Sequence, residues 1–153
     1  MALVELTLAP LPAHVRTARL VGVAAARRAG LDDALLDELR LAIGEAASRA
    51  VGLHARHAHD VPVRITVQDE PGGLTVTVTD KGPAAGPVPD DPATDMLGAE
   101  EPDDVADPDV SLAVLSGLVD DCAVDAGAHG TTVTLRWPLP VGAAPGATSV
   151  ARA

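Results

Sequence analysis

Apolar residues recur with two different periods along this 153-residue chain. Alternation marks strands with one buried face, and spacings of three and four mark helices that bury one stripe. Val4-Glu5-Leu6-Thr7-Leu8 alternates and predicts a first strand, ended by Pro10 and Pro12. His14 to Ala29 then reads as a helix. Val15, Ala18, Leu20, Val21, Ala25 and Ala29 form its apolar stripe, Arg16, Arg19, Arg27 and Arg28 mark solvated edges, and Gly30 stops it.

A second helix, capped by Asp32 or Asp33, runs to about His54. Leu35, Leu36, Leu39, Ala42, Ile43, Ala46, Ala50 and Leu53 give it a broad face rich in small residues, which predicts a deep position against a sheet. Val61, Val63, Ile65 and Val67 alternate, Pro71-Gly72-Gly73 turns the chain, and Leu74 to Thr79 alternates again, giving an antiparallel hairpin. Residues 81–110 change character. They are rich in Pro, Gly and Ala and strongly acidic from Asp90 to Asp109, and they predict a long lid-like loop. A third helix is expected over Ser111 to Leu118 with Asp109 or Ser111 near its cap, then strands over Val119 to Asp125 and Thr131 to Trp137. The order predicts an α+β fold: a two-layer α/β sandwich, mainly antiparallel, with helices on one face. One domain spans 1–139, and 140–153 reads as a disordered tail.

Composition narrows the function. With no Phe or Tyr and a single Trp, the core must be built from Val, Leu, Ile and Ala. A net charge of −11 excludes direct nucleic-acid binding and an anionic membrane surface, both of which need a basic footprint. Apolar stretches such as Leu20 to Ala26 are far too short to span a bilayer. The start carries no signal-peptide pattern, and the lone Cys122 fits a reducing cytoplasm.

Three features could carry chemistry. Glu45 lies within an apolar helical stretch, where a partly buried carboxylate can act as general base on water or a hydroxyl. A plainer reading pairs it with Arg49 at i+4, worth only about 0.2–0.5 kcal/mol. Asp80 ends a strand before Lys81-Gly82, where a turn could present its carboxylate to an amino group such as that of adenine; ordinary turn Asp residues are also common. Thr131 and Thr132 follow Gly130 and could help Asp80 if their strands are neighbours. His54, His57 and His59 lack the convergent set a zinc site needs and read as solvated helix-end residues.

In this joint order the pieces resemble the anti-sigma-factor serine kinases of bacterial partner switching, within the superfamily of gyrase, Hsp90, histidine-kinase and MutL ATPase domains. The resemblance runs from Leu11 to Leu139 and rests on four segments: the opening Pro-x-x-x-x-x-x-Arg helix, the Glu-Leu-x-Leu-Ala-x-x-Glu-Ala helix, the Asp-x-Gly turn and the Gly-Thr-Thr-Val strand. It implies a histidine-kinase-like (Bergerat) ATPase fold with Glu45 as catalytic base, Asp80 reading the adenine amine, Gly82 as first glycine of that motif, and Thr132 near the Thr that supports the Asp.

The chain also departs from the pattern. The metal-binding Asn falls on Arg49, which can only donate hydrogen bonds and cannot coordinate Mg²⁺, though it could touch phosphate directly. The second glycine of the Asp-x-Gly motif falls on Ala84. Where a glycine-rich segment should cradle phosphates, the sequence reads Asp107-Pro108-Asp109-Val110-Ser111. The resemblance therefore implies an adenine end kept and a phosphate end dismantled, with weak ATP binding and no ligand set for a metal. The function expected is an anti-sigma-factor-like regulator in the cytoplasm that binds a sigma factor or an anti-anti-sigma factor and forms a homodimer. The alternatives are an active ATP-dependent serine/threonine kinase, with Glu45 as base and Arg49 as phosphate clamp, and a small-molecule sensor.

Overall fold

The computed structural model describes residues 2–58, 60–82 and 108–141, with 108 and 109 described by backbone alone. The expected acidic loop lies almost wholly outside them, as do Ala84, His59 and the expected tail from residue 142 onward. The elements run β1 (Leu3–Leu8), α1 (Ala13–Ala29), α2 (Asp33–His57), β2 (Val63–Glu70), β3 (Gly73–Asp80), α3 (Pro108–Leu118), β4 (Asp121–Gly127) and β5 (Gly130–Pro138). The strands form one sheet in the order β1-β2-β3-β5-β4, every neighbouring pair antiparallel. The fold is the expected α+β sandwich.

Alternation sorts the two faces of the sheet. Val63, Ile65 and Val67 of β2, Leu74, Val76 and Val78 of β3, and Val133, Leu135 and Trp137 of β5 are all buried. Register aligns them into rows across the strands, such as Ile65–Val78–Val133 and Val67–Val76–Leu135. The opposite face carries Arg64, Thr66, Thr75, Thr77, Thr79, Thr132 and Thr134, each partly or fully exposed. Helix α2 lies on the apolar face with Leu39, Ala42, Ile43, Ala46, Ala47 and Ala50 buried, its small residues allowing the close approach that a core without Phe or Tyr requires.

The ends of the elements follow local chemistry. Asp32 caps α2 by accepting from the Ala34 amide at 2.9 Å. Gly30 closes α1 in the left-handed conformation at φ 88°. Helix α3 starts at Pro108, earlier than expected. Proline suits a first helical position because its missing N–H would have no partner there. Ser111 thus falls inside the helix, not at its cap.

Candidate functional site: a self-bonded cluster between helix α2 and strand β3

The inner face of α2 turns polar toward its C-terminal half, where it passes the exit of β3. Arg49, one turn beyond Glu45, points into the sheet. Its Nη1 donates to Asp80 Oδ2 at 2.8 Å. The Arg49 and Asp80 side chains are only 2% and 1% exposed, so this charge-assisted bond has almost no contact with water. The expected Glu45–Arg49 pair at i+4 is not made, and Arg49 is turned inward to Asp80. Of the two carboxylates weighed as partners of Arg49, the buried Asp80 cannot go unpaired, whereas the half-buried Glu45 has another donor.

The other oxygen of Asp80 is engaged as well. Oδ1 accepts the Gly82 amide at 3.0 Å, closing the turn foreseen from Asp80-Lys81-Gly82. A side chain at residue 82 would bring its Cβ to 3.0 Å from Leu53 Cβ of α2, so the glycine lets helix and turn approach. On the other flank, Gly130 opens β5 at φ 132°, and a Cβ there would fall 1.9 Å from the Asp80 carbonyl oxygen. Conformation and space together require glycine at 130. This is the physical content of the Gly-Thr-Thr segment.

The threonine beside Asp80 is Thr131, not Thr132. Asp80 faces Thr131 across the β3–β5 ladder, and Thr131 is buried. Thr132 lies on the outer face, its Oγ1 3.5 Å from Thr79 Oγ1. A one-residue offset in a strand moves a side chain to the opposite face, and the motif alone did not fix that offset. Among the described residues, Thr131 Oγ1 and Arg49 Nε are buried without a hydrogen-bond partner.

His54 completes the cluster and corrects the expectation of a solvated helix end. It is fully buried. The Lys81 amide donates to its Nε2 at 2.8 Å, so Nε2 is the acceptor, and Nδ1 donates to the Val61 carbonyl at 2.7 Å. Both nitrogens of a neutral ring are thereby used. The signal that could have found it is helical phase. His54 follows Leu39, Ile43, Ala46, Ala47 and Ala50 on the buried face, and the helix runs on to His57.

Glu45, half-buried, sits one turn earlier and looks outward. Its Oε1 accepts Ser111 Oγ at 2.8 Å, and Ser111 is itself buried on α3. A serine side chain thus reaches the carboxylate from within the stretch where the resemblance places glycines. A cleft between α1 and α2, lined by Arg19, Arg40, Leu41, Gly44 and Ser48, opens on the other side of Glu45. The structure therefore brings Arg49, Asp80, Gly82 and Thr131 together at one place and Glu45 with Ser111 at another, and leaves Thr132 outside both. Among the described residues there is no group of three or more His, Cys, Asp or Glu that could hold a metal, and no helix is long and apolar enough to cross a membrane.

With this geometry in view, sequence comparison identifies the class. The model of the histidine kinase-like ATPase domain matches residues 8–137, and the chain belongs to that family. Among solved structures, the RsbU and RsbW domains of Rv1364c from Mycobacterium tuberculosis share its fold with a TM-score of 0.65 and 20% identity. That likeness covers 92% of this chain and 34% of the other, so this chain spans about a third of the length of that solved chain. No curated protein matches the sequence.

The family makes ATP with a divalent metal the ligand to test against the site. The residues do not fit that ligand as they stand. Position 49 offers a guanidinium where a metal would need an oxygen, and that buried guanidinium is held on Asp80 Oδ2.

Proposed function

We propose that this chain is an anti-sigma-factor-like regulator of bacterial partner switching that acts by binding other proteins rather than by transferring phosphate. Its folded unit spans residues 1–139. Its partners are a sigma factor, an anti-anti-sigma factor or both, and it works in the cytoplasm as a homodimer. Any binding of ATP is weak. One observation carries the reading: within a histidine kinase-like ATPase fold, the carboxylates expected to serve a nucleotide are bonded to the chain's own side chains, Asp80 to Arg49 and Glu45 to Ser111. The similarity in fold to a structure containing an RsbW domain supports the partner class. The net charge of −11 favours a protein partner over nucleic acid.

The test is reconstitution with the sigma factors and anti-anti-sigma factors of the native cell. Calorimetry should detect a complex with one of them in the absence of nucleotide. With labelled ATP and magnesium added, no label should reach a serine of the partner. Stoichiometric transfer of label would establish the kinase reading instead.

A further inference from the structure

We infer that Arg49 is a tethered occupant of the purine-reading position, so that the wild-type chain is closed to adenine nucleotides and engages its partners independently of them. This deepens the partner-binding proposal and rests on the same reading of Asp80 as the residue placed to read a base.

The closure is built from three directions. From α2, Arg49 takes Asp80 Oδ2 and Leu53 packs over Gly82. From within the turn, the Gly82 amide takes Oδ1, and His54 holds the neighbouring Lys81 amide. From β5, Gly130 lies against the Asp80 main chain and buried Thr131 stands directly opposite in register. An incoming amino group must displace Arg49 to reach the carboxylate, because the Asp80 side chain is only 1% exposed and the guanidinium lies on its Oδ2. Displacement exchanges an ion pair for a bond from an uncharged donor and strands a buried guanidinium, Arg49 being 4% exposed. The expected weakening is about two to three powers of ten in affinity.

The pair is also imperfect, as a substitute would be. Arg49 uses one of its five N–H groups on Asp80, and its buried Nε finds no partner among the described residues; nor does the Thr131 hydroxyl. A pair selected only for stability would leave fewer such groups unmatched. Arg49 Nε and Thr131 Oγ1 are hydrogen-bonding capacity that the Arg49–Asp80 pair leaves unused.

Nuclear magnetic resonance on the full chain tests this. Titration of the wild type with adenosine and with Mg-ATP should leave the Lys81, Gly82 and Thr131 amides unmoved up to about 5 mM, a ligand level above the millimolar Kd range. The Arg49 side-chain N–H signals should remain protected from solvent exchange throughout. Arg49→Met, which keeps bulk and removes the donor, should shift those three amides on adenosine addition with at least tenfold tighter apparent binding than wild type. Saturable shifts in the wild type anywhere up to about 5 mM would overturn the inference. So would rapid exchange of the Arg49 signals, or a folded Arg49→Met that still ignores adenosine. If Arg49→Met does not fold, the wild-type arms decide alone. Partner binding is measured on the same samples by calorimetry. Loss of the partner complex with a silent nucleotide titration sinks the proposed function only, and nucleotide binding with an intact complex sinks this inference only.

Discussion

Glu45 and Arg49 stand one turn apart on the same helix, yet they belong to two different environments. Arg49 is buried, charged and paired with a buried opposite charge in β3. Glu45 is half-buried, faces a cleft and takes a neutral hydroxyl from α3. The first arrangement cannot be undone cheaply, because each partner is costly to bury alone. The second can be, because water can replace the serine. The domain thus ties Asp80 tightly and Glu45 loosely, and on the function proposed above the tight end is the one that would read a base.

The sharpest way to break this comparison is Asp80→Ala. It leaves the Arg49 guanidinium buried without its counter-charge and should cost about 3–5 kcal/mol by chemical denaturation. Replacing both partners at once, as Arg49→Met with Asp80→Leu, should recover most of that loss, because the cost lies in the unpaired charge. A double change as damaging as the single one would mean the pair is valued for something other than mutual neutralisation. Next in size is His54→Leu. It keeps apolar bulk but removes partners from the Lys81 amide and the Val61 carbonyl, and should cost about 2–3 kcal/mol. Hydrogen exchange at the Lys81 amide should accelerate in step. At the looser end, Ser111→Ala should cost only about 1 kcal/mol, read as a lower denaturation midpoint with unchanged slope. If it proves as costly as His54→Leu, the two ends are not different in kind. Arg64→Ala is the calibrating change. Its contact with Glu5 at 3.4 Å is largely exposed, and its loss should fall below about 0.5 kcal/mol.

Most of the architecture was legible because it rests on local periodicities. Alternating Val and Thr fixed β2, β3 and β5, and the spacing of Leu, Ala and Ile fixed α2. The turn at Asp80 was legible for the same reason, since Asp-x-Gly carries its own hydrogen-bond chemistry. What could not be read was the pairing of polar side chains across elements. Residues 49 and 80 are 31 positions apart, and only the approach of α2 to β3 makes them neighbours. An Arg four residues after a Glu on an Ala-rich helix looks like a surface charge until the depth of the helix is known. His54 was misread for a related reason: a histidine near a helix end usually meets solvent, and here the helix and the turn after β3 bury it together. The exchange of Thr131 for Thr132 is the smallest miss. A motif gives residue types, and only ladder register says which of two adjacent hydroxyls faces inward.

Trp137 is the sole fluorophore of the chain, and its indole Nε1 donates to Glu38 of α2 at 2.9 Å. Because it spans the seam between helix and sheet, its emission reports on that seam without any label. A partner that shifted α2 against the sheet would change the colour of the protein's own ultraviolet glow, and one that docked elsewhere would leave it untouched.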